Sequence, residues 1–231
     1  MSDPGNIQIA DYDYRLPEER IAQFPLAGRD GSKLLVCRRG AVSHDIFSNI
    51  DRYLAEDSLL VFNDTKVIRA RLVFAKATGA RVEIFCLEPV EPVTEIEAAF
   101  HRKPPVTWKC LVGNLKRWKE GPLMHECTHE GILHRLYAEY AGDCGDQSHL
   151  VRFMWEPGEW TFSEMLEMNG LVPLPPYIHR QTVVQDAERY QTIYAEHEGS
   201  VAAPTAGLHF TKPVLEKLAG KGILTEKVTL H

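Results

Sequence analysis

Residues Ile68–Leu87 read I-R-A-R-L-V-F-A-K-A-T-G-A-R-V-E-I-F-C-L. On either side of the turn signal Thr78-Gly79, apolar and polar residues alternate with a period of two. That is the pattern of two half-buried strands joined by a short reversal. Further strand-like runs follow closely: Thr94–Phe100, Val106–Val112, Ile132–Tyr140 and Leu150–Trp155. Turn-forming residues separate several of them, at Lys103-Pro104-Pro105, Gly121-Pro122 and Gly142 to Gly145. No strong amphipathic helix interrupts, so the middle of the chain is expected to close as a β-barrel or sandwich.

Both flanks mix helix and strand. Lys33–Cys37 and Ser58–Phe62 are short apolar runs of buried-strand type, and Ile46, Phe47, Ile50 and Leu54 between them make one helical face. After the barrel, Thr161 and Glu164 form a capping box ahead of Met165, Leu166 and Met168, with Gly170 to end the helix. Asp186–Glu196 reads as a polar helix. Thr211 and Pro213 open another that ends at Gly220, and Ile223–Leu230 is a last strand. The expected organisation is a mixed α/β domain formed by both chain ends, residues 1–65 and 158–231, with an antiparallel β-barrel domain inserted at 66–157.

The 231 residues suffice to bury a core without metal or disulfide staples. Five cysteines, an odd number with no C-x-x-C, favour reduced cytosolic thiols and a cytoplasmic protein. No apolar run has the length of a membrane span, and the first ten residues lack the features of a secretory signal. The net charge of −6 argues against a generally basic coat. One local exception runs from His101 to Gly121, where Arg102, Lys103, Lys109, Lys116, Arg117 and Lys119 face Glu120 alone, with Trp108 and Trp118 among them. Such a segment suits phosphate contact and base stacking, or equally a solvated strand face with two core tryptophans.

Four further strings carry candidate chemistry. L-V-P-L-P-P-Y-I-H-R at Leu171–Arg180 is stiffened by three prolines and can hold Tyr177, His179 and Arg180 in place, or simply connect two parts of the fold. G-S-V-A-A-P-T-A-G-L-H-F at Gly199–Phe210 lets backbone approach a ligand closely and offers Thr205 and His209, though a tight structural turn explains it equally. F-N-D-T-K-V at Phe62–Val67 puts Asn63, Asp64 and Thr65 at the end of an apolar strand, where ligands often bind and turns often form. His125-Glu-Cys-Thr-His129 meets the bare H-E-x-x-H pattern. A strand-rich setting is wrong for a helical zinc protease, so a zinc-dependent hydrolase is the remoter alternative.

Taken in order, these strings resemble the queuosine-pathway S-adenosylmethionine:tRNA ribosyltransferase-isomerase (QueA) family. The resemblance rests on D-Y-D-Y-R-L-P-E-E-R-I-A-Q-F-P at Asp11–Pro25, S-L-L-V-F-N-D-T-K-V-I at Ser58–Ile68, A-R-L at Ala70–Leu72 and R-V-E-I-F at Arg81–Phe85. It continues with P-L-P-P-Y-I-H-R at Pro173–Arg180, E-R-Y-Q-T-I-Y-A at Glu188–Ala195 and G-S-V-A-A-P-T-A-G-L-H-F-T at Gly199–Thr211. It implies transfer and isomerisation of the ribosyl moiety of S-adenosylmethionine onto 7-aminomethyl-7-deazaguanine at the wobble position of a tRNA, giving epoxyqueuosine and releasing adenine and methionine. S-adenosylmethionine is then a consumed substrate, with no metal or organic cofactor. The expected partners are that nucleoside and the tRNA, with no membrane, for a monomeric protein.

The resemblance also places roles. His209 and Asp64 are expected to transfer the proton. Tyr177, Tyr190 and Tyr194 would stack on a base, while Arg71 and Arg180 would meet a carboxylate or phosphate. Asn63, Thr65, Gln191, Thr205 and Gly207 would line the substrate pocket, and Lys116, Arg117 and Lys119 would contact RNA. Two departures stand out. Arg69 occupies a position where the family usually has proline, and the chain stops at Val228-Thr-Leu-His231, where family members continue into a glycine-rich segment. The second departure gives the alternative reading, an inactive N-terminal fragment that only binds RNA.

Overall fold

The structure, a computed structural model, describes residues 7–76, 78–118, 121–175 and 177–230. Lys119 and Pro176, both invoked above, lie outside the described residues. In chain order the strands and helices are β1 (Lys33–Arg38), β2 (Ala41–Ile46), β3 (Leu59–Asn63), β4 (Thr65–Val67), β5 (Arg71–Ala75), β6 (Arg81–Glu91), α1 (Ile96–Phe100), β7 (Val106–Gly113), β8 (Leu123–His129), β9 (Ile132–Asp143), β10 (His149–Glu156), α2 (Phe162–Asn169), α3 (Asp186–Arg189), β11 (His197–Ser200), α4 (Lys212–Gly220) and β12 (Leu224–Val228).

Six of these strands form one antiparallel sheet in the order β5-β6-β7-β10-β9-β8, and its two edges, β5 and β8, come into contact, so the sheet is nearly a closed barrel. Alternation supplies its interior: Val82, Ile84 and Cys86 from β6 and Val151, Phe153 and Trp155 from β10 all point inward. Register shifts after Cys86 and Pro89 mark bulges in β6, where a proline does little harm to the ladder and the sheet can curl. Trp108 packs against both Phe100 and Phe162, with ring centroids 5.2 and 4.8 Å away.

Thr94–Phe100 is not the strand its composition suggested. The Glu95 carboxylate accepts hydrogen bonds from the amides of Glu97 and Ala98, at 3.0 and 2.6 Å, and starts the one-turn helix α1. Ala99 and Phe100 are thereby buried against the barrel core. α2 forms as expected, with its capping box complete and Phe162, Met165 and Leu166 buried in the same core. Gly170 follows it where a Cβ would lie 2.0 Å from the Arg69 carbonyl, so only glycine lets Leu171 pair with Arg71. The polar helix expected over Asp186–Glu196 stops at Arg189. Beyond it the Gln191 amide replaces a strand neighbour, accepting from Val67 N at 2.9 Å and donating to Val67 O at 3.2 Å.

The two ends of the chain meet in parallel pairs, β3 with β12 and β4 with β11. Of the expected face, Phe47 and Ile50 lie on a 3-10 helix at Phe47–Tyr53 and pack with Leu54 against Val214, Leu218 and Ile223 in a second, smaller core, whereas Ile46 ends β2 and is exposed. Among the described residues no helix is long and apolar enough to cross a membrane, and all five cysteines are free.

Candidate functional site

The proline-rich string and the small-residue string converge on the outer face of the barrel, where they enclose a cavity of about 880 Å³. β5, β6 and β7 supply one wall through Arg71, Glu83, Phe85 and Leu111. Pro173, Pro175, Tyr177 and His179 supply a second wall, and Val201, Ala203 and Thr205 a third. Restricted backbone at the prolines and short side chains at Ala202 and Ala203 leave room for a flat ring system. A second cavity of about 510 Å³ lies on the other side of the small-residue segment, lined by Phe62, Asn63, Tyr194, Thr205, Gly207 and Phe210 among others. Thr205 and Ala203 border both.

Tyr177 and Thr205 thus share one cavity with Arg71 and Arg180. Both guanidiniums already hold carboxylates. Arg71 bonds Glu83 in bidentate fashion at 2.5 and 2.7 Å. Arg180 bonds Asp186 at 2.7 Å through each of two nitrogens, donates from Nε to the Gln23 carbonyl at 2.6 Å and lies 4.4 Å over the Phe24 ring. Burial pushes the Asp186 carboxyl up, but the Arg180 hydrogen bonds and the Val183 amide outweigh it and hold it below the usual range. Glu83 and Asp186 went unnoticed in the sequence as partners. Glu83 stands beside Arg71 only through the β5–β6 register, which pairs Arg71 with Phe85.

Asn63, Gly207 and Tyr194 line the second cavity. A Cβ at Gly207 would lie 2.3 Å from the Tyr194 hydroxyl, so the glycine sets how closely the tyrosine approaches. Burial pushes the phenols of Tyr190 and Tyr194 up. Thr65 is fully buried, its hydroxyl 2.5 Å from Asn63 Oδ1 and 2.5 Å from the Leu230 carbonyl. Gln191 lines a separate cleft with Arg29, a residue that sequence reasoning missed. Arg29 clamps the carbonyls of Glu188 at 2.5 Å and Gln191 at 2.6 Å.

The two residues expected to transfer a proton line neither cavity. His209 packs its ring 5.3 Å from that of Phe47, with Nδ1 3.4 Å from the Arg29 carbonyl. Asp64 is buried beneath Thr229, whose hydroxyl donates to Oδ1 at 2.9 Å. The imidazole that lines the larger cavity is His179.

On the basic segment, Lys116 and Arg117 sit on a 3-10 turn after β7, and Lys116 borders an open groove of about 620 Å³ with Tyr140. Trp108 and Trp118 are 0% and 3% exposed, so the stacking role their spacing allowed gives way to a core role. Lys109 is paired with Asp146 at 2.9 Å. The zinc reading of His125, Cys127 and His129 also fails. Among the described residues their ligand atoms do not gather, and the Cys127 thiol donates to Asn169 Oδ1 at 3.2 Å.

Comparison with known proteins matches residues 9–231 to a family described as queuosine biosynthesis protein. Proteins named S-adenosylmethionine:tRNA ribosyltransferase-isomerase from Trichlorobacter lovleyi and Pelobacter propionicus are each 42% identical over 225 residues, covering 96% of this chain and 60% of the relative. The chain therefore spans about 60% of the length of these curated relatives. A crystal structure of S-adenosylmethionine tRNA ribosyltransferase from Thermotoga maritima is 28% identical, covers 96% of this chain and 58% of that one, and superposes with a TM-score of 0.35.

Proposed function

The chain belongs to the queuosine biosynthesis protein family, and on that premise we propose that it moves the ribosyl moiety of S-adenosylmethionine onto 7-aminomethyl-7-deazaguanine in a tRNA anticodon. The product is epoxyqueuosine in tRNA, with adenine and methionine released. The observation that carries this reading is the meeting of two distant family strings, Pro173–Arg180 and Gly199–Thr211, around one cavity of about 880 Å³. That volume suits a nucleoside-sized ligand.

In this reading Tyr177 and Thr205 contact the sulfonium nucleoside. The tied guanidiniums Arg71 and Arg180 shape the walls instead of neutralising a free carboxylate. The reaction needs a base for the 5′ proton beside the sulfonium, a dry site and a path for adenine to leave. We assign none of this to His209 or Asp64, because neither lines the cavity. The fold divides into an α/β domain from residues 1–65 and 158–231 and an inserted barrel domain from 66–157. The parallel pair β3–β12 supports that division, while β4, at Thr65–Val67, crosses its boundary to pair with β11. Lys116 and Arg117, exposed on the barrel, contact the RNA backbone.

The test mixes the purified chain with ribose-labelled S-adenosylmethionine and tRNA bearing the deazaguanine. Label in the tRNA with an equal amount of free adenine is expected. Tyr177→Ala and Thr205→Val should each weaken binding of the nucleoside by about tenfold, the loss of one good contact. Tight tRNA binding with neither adenine release nor nucleoside binding would replace this reading by that of an RNA-binding protein.

A further inference from the structure

Glu196 and His197 fall in the gap between E-R-Y-Q-T-I-Y-A and G-S-V-A-A-P-T-A-G-L-H-F-T, so the family strings assign them nothing. The fold nevertheless brings them to Asp64. The backbone amides of Glu196 and His197 both donate to the Asp64 carbonyl, at 2.7 and 3.3 Å, and the parallel pair β4–β11 sets His197 opposite Thr65. One carboxylate oxygen of Asp64, one of Glu196 and an imidazole nitrogen of His197 all lie within 4.8 Å of one another.

Asp64 gives this cluster a character that surface acids lack. Its side chain is 6% exposed. Thr229 fixes Oδ1, the outer-sphere hydrogen bond that typically orients a metal-binding carboxylate. Oδ2 accepts no hydrogen bond among the described residues and points at the His197 ring, with Nε2 3.9 Å away.

We propose that Asp64, Glu196 and His197 bind a divalent transition-metal ion of the Zn²⁺ class. Two ligands about 2.0–2.1 Å from a tetrahedral ion stand about 3.4 Å apart, so small rotations of the exposed Glu196 and His197 close the set around the fixed Asp64. An imidazole with only two carboxylates suits Zn²⁺ or Co²⁺. Mg²⁺ and Ca²⁺ seek six or more oxygens. Lys227 is the competitor: its ammonium pairs with a Glu196 oxygen and occupies part of the field that the metal would fill. The site lies outside the wall of the larger cavity and stands independently of the ribosyl-transfer reading.

The test titrates the untagged, metal-free chain with Co²⁺, followed by its visible absorption, and then with Zn²⁺ in competition. One saturable site per chain is expected. His197→Gln, at an exposed side chain, should weaken it by about tenfold or more, while Lys227→Gln should tighten it. Asp64→Asn should abolish the absorption band, with circular dichroism checking that this buried variant still folds. Affinity unchanged in His197→Gln, or in both His197→Gln and Lys227→Gln, overturns the proposal, because the bound metal would then sit on other imidazoles. Absence of any saturable absorption with the wild-type chain overturns it as well.

Discussion

A single methyl group added at Gly207 would stand 2.3 Å from the Tyr194 hydroxyl and 3.1 Å from Thr192 Cγ2. Gly207→Ala therefore forces Tyr194 outward, away from Phe62, whose ring is 4.6 Å from its own. A loss of about 1–3 kcal/mol in urea unfolding is expected from such overpacking. Asp186→Asn acts in the opposite manner, by removing charge. It leaves the Arg180 guanidinium, 12% exposed, without its counter-ion, and a destabilisation of about 3 kcal/mol is expected by the same measurement. At this scale the sequence was only half legible. Tyr177 and Thr205, which line one cavity, stood out because they sit in rigid or small-residue strings. The occupancy of Arg71 and Arg180 was not, since Glu83 reaches Arg71 through strand register and Asp186 reaches Arg180 across a turn. His209 lies off both cavities for a related reason. Its string is distinctive, but the 3-10 turn at Thr205–His209 directs the ring to Phe47.

Elements followed their patterns where one face is buried and departed where a local side chain overrode them. Val151, Phe153 and Trp155 alternate inward along β10 as their spacing demands. Thr94–Phe100 became helix because a carboxylate at Glu95 satisfies two amides that a strand would have left to a neighbour. The turn at Phe47–Tyr53 is stapled similarly by Asp45. Hydrogen bonds from the Tyr53 hydroxyl, the Asn49 amide and the Ile46 backbone draw its carboxyl down to about 2. A carboxyl whose folded value lies below its unfolded value of about 3.9 stabilises fully above the latter, and that contribution disappears as pH falls toward about 2. Asp45→Asn should accordingly flatten the acid limb of the thermal stability profile between about pH 4 and pH 2, while the wild type steepens there. Identical limbs would show that the staple does not persist in solution.

Across the whole molecule, charge is unevenly placed, with a net −6 and a basic segment on the barrel. If Lys116 and Arg117 meet phosphates, Lys116→Glu with Arg117→Glu should weaken tRNA binding and reduce the slope of log K against log salt by about 2. An unaltered slope would move the RNA path to another face. Most of the barrel-like sheet was legible from period-two alternation with turn residues between the runs, although β8 was not among the expected runs and one expected run is helix. The end-to-end pairing was legible only as apolar runs at both termini, because no local pattern tells a strand which distant partner it will take.

That pairing has a kinetic consequence. Thr65 and Leu230, in contact through their polar atoms, are separated by 165 residues of chain. As the polypeptide leaves the ribosome, β5 to β10 can close while β3 and β4 still wait for mates not yet synthesised. The backbone edges of β3 and β4 stay unpaired throughout that interval, so the time before β11 and β12 emerge is when a chaperone has most to protect.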